Sequence, residues 1–255
     1  MIALLYRERM LTVKRTEITS AGLHIMAMTC MLCDHLWGTV VPGHLWLTCV
    51  GRLAFPIFAF LLVEGYYHTS NLKKYCQRLF LFALISEIPF NLAIGGSFFY
   101  PLHQNVLWSF LISIFLIHRL EKAKNTGKLW RFALTAAVSL ALGCILGLLT
   151  FVDYYHAGIL TVLAFYFFRG RKWWQLAGQA IALWYINARI LGGLVWEIPL
   201  GNTMLVIHQQ ALALLALIPI WLYRGTQGHH SRAFRLFCYG FYPVHLLILG
   251  LIRLL

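Results

Sequence analysis

Two adjacent residues, Asp34 and His35, lie in the apolar run TCMLCDHLWGTVVP at residues 29–42. Histidine exchanges protons near neutral pH, because its ordinary pKa is about 6.5, and a carboxylate orients such a base or binds a cation. A charged side chain in hydrocarbon costs about 2.5–3.5 kcal/mol on insertion scales, so such residues predict a functional site. Adjacent helix residues point about 100° apart. We therefore expect Asp34 and His35 to contact different neighbours.

The elements that must position these residues are membrane helices. The 255 residues are 60% hydrophobic and 11% charged, and the mean hydropathy is +0.73, whereas soluble domains are about 25% charged. Apolar runs of about 17 to 25 residues, each long enough to cross a bilayer, recur from residue 20 onward. The sequence predicts an all-α, polytopic transmembrane bundle of about nine spans. They lie near residues 20–38, 45–66, 77–95, 104–120, 130–150, 154–169, 173–191, 203–223 and 234–253.

The basic residues alternate with these spans. Of the 21 Lys and Arg residues, 18 fall in the N-terminal segment or in every second loop. The positive-inside rule then predicts a cytoplasmic N-terminus in the cytoplasmic (inner) membrane of a bacterium, with the lipid bilayer as a partner. The net charge of +13 is spread over short loops instead of one face or tail, which argues against a nucleic-acid partner.

The chain reads as one transmembrane domain, residues 20–255, after a leader at residues 1–19. The leader is basic and amphipathic, without the apolar core of a cleavable signal peptide, and we expect it to lie in the cytoplasm or at the interface. Cys30 and Cys33 form a CxxC, but no second CxxC or His pair follows at zinc spacing. We therefore expect no metal site.

The predicted topology gives each polar residue a depth, and these residues gather in the outer half of the membrane. A chamber opening outward accounts for this preference better than scattered surface charge does. Besides Asp34 and His35, the residues are Arg52, Glu87, Asn91, His103, Gln104, Asn105, Asp153, Tyr154 and His245.

Structural roles compete with functional ones for several of these side chains. Arg52 is expected to pair with Glu87 or Asp34, which by itself only holds helices together. Asn91 follows Pro89, where it could satisfy carbonyls freed by a kink. Glu64 is expected to form a salt bridge with Lys73 or Arg78.

The sequence resembles the TraX family of bacterial membrane proteins, named for the enzyme that acetylates the N-terminus of conjugative pilin. The resemblance runs from about residue 20 to the C-terminus. It rests on MLCDHLW, GRLAFPIFAFLLVEGYYHTSNLKKYCQRLFLFALISEIPFNLA, HQNVLW, FVDYYHAGIL and RLFCYGFYPVHLLIL. One departure is Tyr155, where the family pattern leads us to expect a glycine directly after Tyr154.

This resemblance implies an acyltransferase that moves acetyl from cytoplasmic acetyl-CoA to an extracytoplasmic peptide N-terminus or glycan. His35 would match a catalytic histidine, and Asp34, Arg52, His245 and the triplet His103–Gln104–Asn105 would match family motif positions. Acyl transfer needs a base, for which His35 is suited, and donors to an oxyanion. The candidate donors are Asn105, Gln104 and Arg52, and the candidate carboxylates are Asp34, Glu87 and Asp153.

The basic loops would attract the phosphates of CoA, and Lys73, Lys74 and Arg78 are the candidates. The chain has no GxSxG motif, which favours direct transfer, although a covalent acyl-His35 relay stays open. A transporter is the main alternative function, and a non-catalytic scaffold is another. Transport is disfavoured because we see no inverted repeat and nine spans do not divide equally.

Overall fold

A computed structural model of the protein describes residues 17–200, 203–229 and 231–255, so the leader lies largely outside the described residues. Helices dominate these ranges. In chain order they are α1 (Ser20–Thr39), α2 (Leu45–Gly51), α3 (Ala54–His68), α4 (Leu72–Phe90), α5 (Val106–Lys124), α6 (Leu129–Leu149), α7 (Tyr155–Phe167), α8 (Trp173–Tyr185), α9 (Leu217–Leu222) and α10 (Arg232–Arg253).

Side-chain caps fix where four of the helices begin. The side-chain oxygens of Thr19, Asn71, Asn105 and Ser231 accept hydrogen bonds from backbone N–H groups in the first turns of α1, α4, α5 and α10. These groups have no partner within the helix, so each cap satisfies a donor that the helix leaves open.

The core lies where α1, α3, α5 and α7 meet. Leu23, Ile57, Ile117 and Ile159 are fully buried there. Helix α6 packs on the outside of this group, and a Cβ at Gly147 would lie 2.5 Å from the Cα atom of His156. Glycine at this position therefore lets α6 approach the start of α7 closely, as small residues do between membrane helices.

Within the described residues, four helical segments are long and apolar enough to cross a membrane by length and composition: Leu45–His68, Leu72–Gly95, Leu129–Leu149 and Arg232–Arg253. Large apolar side chains are exposed on the outer helices, including Leu129 at 80% and Ile181 at 66%, as expected of a surface that faces lipid. The chain is thus a membrane protein with a nearly all-α fold, and the count of nine spans stays a prediction.

The expected helix at 203–223 is wrong over its first residues. Strands β1 (Val195–Leu200) and β2 (Thr203–His208) form an antiparallel hairpin that pairs Val195 with His208. A 3₁₀-helix, Gln209–Ala216, then leads into α9. Strand residues alternate in direction, so this hairpin presents apolar side chains on both faces, and the apolar run read as a span is in part extended.

The two ends of the bundle differ in charge. We call one the basic end, which holds the loops that follow α3, α5, α7 and α9, and the other the opposite end. At the basic end, Glu64 accepts from the guanidinium of Arg169 at 2.7 Å, and not from Lys73 or Arg78 as expected. The carboxylate of Glu121 accepts from the hydroxyls of Tyr67 and Tyr166 at 2.8 and 2.9 Å.

Candidate active site

Two histidines from the first and last helices meet inside the bundle. Nδ1 of His35 on α1 lies 2.7 Å from Nε2 of His245 on α10. The ring centroids are 5.0 Å apart and the planes differ by 9°. These values describe two nearly coplanar rings joined edge to edge, so the hydrogen bond lies along the nitrogen lone pair.

The partners of His245 determine where the protons lie in the neutral pair. Nδ1 of His245 is 2.6 Å from the carbonyl oxygen of Phe241. Because a carbonyl oxygen only accepts hydrogen bonds, this Nδ1 must carry the proton and donate. Nε2 of His245 is then the acceptor, and Nδ1 of His35 donates to it. Nε2 of His35 therefore carries the lone pair of a base, and among the described residues it has no hydrogen-bond partner.

Asp34 faces a different set of neighbours, as its position beside His35 on the helix predicts. Its Oδ1 atom accepts from the guanidinium of Arg52 and, at 2.8 Å, from the hydroxyl of Thr48. The Arg52 partner is thus Asp34, one of the two expected alternatives, and not Glu87. The side chains of Asp34 and Arg52 are only 17% and 15% exposed. This ion pair holds α1 against the start of the second predicted span.

A buried polar chain extends this ion pair toward the 3₁₀-helix. Another nitrogen of Arg52 donates to Oε1 of Gln210 at 2.8 Å, and Nε2 of Gln210 donates to Oδ1 of Asn187 at 3.3 Å. Gln210 and Asn187 are 8% and 4% exposed. The sequence analysis missed both residues, although buried amides within apolar segments were the signal available.

Gly51 allows Asp34 to reach Arg52. A Cβ on Gly51 would lie 2.4 Å from the Cβ of Asp34 and 2.5 Å from its Oδ1. We expect Gly51→Ala to lower stability by about 1–3 kcal/mol, because the root of the Asp34 side chain has to move. Thermal unfolding of purified protein in detergent measures this loss.

The matched control for Gly51→Ala is Gly38→Ala, since a Cβ at Gly38 would meet no atom within 4 Å. Alanine there should leave the unfolding midpoint unchanged or raise it slightly, because alanine favours helix. Equal midpoints for the two variants would refute the close approach of Gly51 to Asp34.

A second acid and histidine pair lies at the opposite end. Nε2 of His103 is 3.3 Å from Oδ1 of Asp153, and this hydrogen bond raises the pKa of His103 above its usual value. The hydroxyl of Ser109 donates to the backbone carbonyl of Asp153 at 3.0 Å. These contacts fix the loop before α7 over the start of α5. They bring together His103 and Asp153, which were predicted separately.

The same loop explains the departure noted at Tyr155. Tyr154 and Tyr155 have φ angles of 60° and 45°, in the left-handed region that favours glycine. Tyr155 thus has the left-handed backbone conformation that glycine adopts most easily, which agrees with the glycine expected at this position. The ring of Tyr154 packs parallel to Phe55 at 4.4 Å between centroids, which offers a reason why the strained loop persists.

Of four other predicted site residues, Asn105 and Glu87 join α4 to α5. Nδ2 of Asn105 donates to the carbonyl of Ala83 at 2.9 Å and to Glu87, whose carboxylate also accepts from the indole N–H of Trp108 at 3.0 Å. The amide of Gln104 donates to the carbonyl of Pro101 at 2.8 Å. Asn91 is 4% exposed and begins the π-helical turn Asn91–Gly95.

None of these four side chains lines the cavity beside His35. That cavity, which we call the chamber, has a volume of about 40 Å³. Its wall residues come from α1, α2, α3, α5, α10 and the loop before α7. They are Met31, Asp34, His35, Gly51, Ala54, Phe55, Phe58, Val106, Phe110, Asp153, Tyr154 and Tyr242. Asn105 and Gln104 are thus not placed to serve a reaction in the chamber as oxyanion donors.

A larger cavity of about 360 Å³ leads from the basic end toward the chamber. At the basic end, its walls include Ser20, His68 and Gln227. Five side chains line both cavities, and we call this group the junction: Met31, Phe58, Val106, Phe110 and Tyr242. Because Ser20 and Met31 are 11 residues apart in α1, the large cavity extends roughly 16 Å along that helix.

One of the three predicted CoA-binding residues lines the large cavity, and the other two do not. Arg78 lines it, together with Arg235 and His24. Lys73 and Lys74 are exposed and are absent from its walls. Arg235, on the last helix, is a cation that the sequence analysis did not single out, because the positive-inside rule already accounts for basic residues in loops.

Comparison with known proteins identifies the family of the chain. The profile of the TraX protein family matches residues 19–253. The chain belongs to the TraX family. Among TraX-like relatives, the probable fimbrial assembly protein FimC, serogroup H1, of Dichelobacter nodosus is 27% identical over 251 residues, covering 92% of this chain and 96% of that protein. No solved structure matches the chain.

Proposed function

We propose that the protein is an integral membrane acyltransferase of the bacterial cytoplasmic membrane. It transfers acetyl from cytoplasmic acetyl-CoA to an acceptor on the outer side. The observation that carries this proposal is the hydrogen bond from His35 to His245, which leaves Nε2 of His35 as a base in a chamber joined to a large cavity.

The donor is proposed to bind in the large cavity. The phosphates of CoA would lie at the basic end near Arg78 and Arg235, where guanidinium groups offer paired donors to phosphate oxygens. The thioester arm would extend between Met28, Leu61 and Leu62 toward the junction. This direction agrees with the predicted topology, in which the basic end is cytoplasmic.

The acceptor is proposed to approach from the opposite end, where Asp153 lines the chamber and pairs with His103. Arg52 neutralises the carboxylate of Asp34, whereas the partner of Asp153 is a histidine, so we expect Asp153 to orient an incoming amine or hydroxyl together with His103. The name of the relative in Dichelobacter nodosus, a probable fimbrial assembly protein, favours a peptide N-terminus over an envelope glycan.

The proposed step is direct transfer. The acceptor nitrogen or oxygen attacks the thioester carbon while Nε2 of His35 takes the acceptor proton. The carbon–sulfur bond then breaks, and the protonated His35 returns the proton to the departing thiolate. The products are the acetylated acceptor and free CoA. Tyr242, which lines both cavities, is the candidate hydroxyl donor to the oxyanion between these events.

The test uses purified protein in lipid vesicles with radiolabelled acetyl-CoA. We expect release of free CoA, and we expect Arg78→Ala and Arg235→Ala to raise the KM for acetyl-CoA about tenfold, since a hydrogen bond to a charged group contributes about 1.5–3 kcal/mol. Lys74→Ala is the matched control and should change KM little, because Lys74 does not line the cavity. Wild-type protein that neither binds nor consumes acetyl-CoA would refute the proposal and favour a transporter.

A further inference from the structure

The chamber beside His35 is small. Its volume is about 40 Å³, and a water-sized group needs about 10–15 Å³ of such space. The chamber therefore has room for roughly three groups of that size. An acetyl group has three heavy atoms, and each further methylene adds one.

Aromatic rings close one side of the chamber. Phe55 packs parallel to Tyr154 at 4.4 Å and to Phe110 at 5.9 Å between centroids. Phe55 is itself 8% exposed and belongs to the core. A buried ring held by two neighbouring rings is close-packed, so we expect the wall it forms to resist displacement by a longer chain.

The residue before Phe55 contributes to the same chamber with much less volume. Ala54 is 6% exposed and presents a single methyl group. A larger side chain at this position would fill part of the space. Two neighbouring residues of α3 thus line the chamber, one with a large ring and the other with a single methyl group.

The direction of entry determines which part of the donor occupies the chamber. A thioester that arrives through the large cavity reaches the junction first, and His35 lies beyond it in the chamber. The carbonyl carbon must come within reach of an acceptor that His35 deprotonates, so the acyl group has to pass the junction. The sulfur and the rest of the arm remain on the side of the basic end.

We propose that the chamber limits the donor to acetyl, and that Phe55 and Ala54 are the residues that determine this specificity. The inference rests on the proposed function, because it requires that a thioester reacts beside His35. It goes further in naming the residues that would reject propionyl, butyryl and longer acyl groups.

The experiment measures kcat/KM for acetyl-, propionyl-, butyryl- and hexanoyl-CoA. For the wild type we expect a fall of about tenfold or more with each added carbon up to butyryl, which is the range for one methylene in a closed pocket. Phe55→Leu should raise the butyryl to acetyl ratio at least tenfold. Ala54→Val should lower the propionyl to acetyl ratio. The two variants thus shift the preference in opposite directions.

Phe60→Leu is the matched control. Phe60 lies on the same helix and packs edge-on against Phe165 and Tyr223, but it lines neither cavity. It should lose stability as Phe55→Leu does without a change in either ratio. Size-exclusion profiles of all variants show which of them fold. If Phe55→Leu does not fold, Ala54→Val tests the size limit independently.

The outcomes distinguish failure of the size limit from failure of the proposed function. Turnover of all four thioesters at similar rates would overturn the size limit and leave the acyltransferase intact. Unchanged ratios in both Phe55→Leu and Ala54→Val would overturn the assignment of these residues. Absence of turnover with every thioester would reject the proposed function, and the size limit with it.

Discussion

Replacing His35 by glutamine is expected to lower acetyl transfer by about 10²- to 10⁴-fold, the usual contribution of a positioned base. Glutamine can still donate to Nε2 of His245, so the local packing is kept, but it has no basic nitrogen at neutral pH. Because His35 does not line the large cavity, where acetyl-CoA is proposed to bind, its binding should be unchanged. Radiolabelled transfer assays and equilibrium binding on the same preparations measure both quantities.

Variants of His245 separate its role from that of His35. His245 is expected to be a positioning residue, since it holds Nδ1 of His35 and does not line the chamber. His245→Phe should lower kcat and alter the pH profile, and His245→Asn should restore part of the rate through an amide acceptor. His118→Gln, at a histidine that lines neither cavity, is the control.

The assay also distinguishes direct transfer from transfer through a covalent acyl-enzyme intermediate. Label that remains on the wild-type protein after removal of acetyl-CoA, and disappears in His35→Gln, would favour the covalent relay over direct transfer. A His35→Gln protein that transfers acetyl at the wild-type rate would exclude His35 as the base altogether.

Removing Arg52 is expected to cost about 3–5 kcal/mol of stability, because Asp34 would keep its charge with only Thr48 as a partner. Arg52→Met tests this, since methionine keeps the length of the side chain without its charge. Chemical unfolding in detergent gives the free energy. Arg119→Met, at an exposed position on α5, is the control and should change it little.

The double variant Asp34→Leu, Arg52→Met determines whether the pair also serves the reaction. It should recover much of the lost stability, because neither charge is left without the other. Stability losses that simply add would contradict the coupling. A stable double variant that transfers acetyl normally would leave the pair a structural role alone. A stable but inactive one would place it in the chemistry.

Features set by one segment could be predicted from the sequence. The apolar run at 45–66 becomes the helical segment Leu45–His68, and the run at 234–253 becomes α10, because length and hydropathy suffice to define a membrane helix. The direction of Asp34 away from His35 followed from helical geometry alone. The pairing of Arg52 with Asp34 was one of two alternatives that charge left open.

Features that join distant segments could not be predicted. His35 and His245 are 210 residues apart, and no property of either local segment indicates their contact. The hairpin was missed for another reason: TMLVIH at 203–208 is an apolar run that fits a helix or a buried strand equally well. Gly201–Asn202 between two such runs was a turn signal that favoured the hairpin.

The composition of the junction has an electrical consequence. None of Met31, Phe58, Val106, Phe110 and Tyr242 carries a charge, so a charged group gains no ionic partner in this layer. Moving one elementary charge across a membrane takes about 2.3 kcal/mol per 100 mV. Under the proposed function, the negative phosphates of the carrier stay on the cytoplasmic side of the junction, so the carrier itself does none of this work.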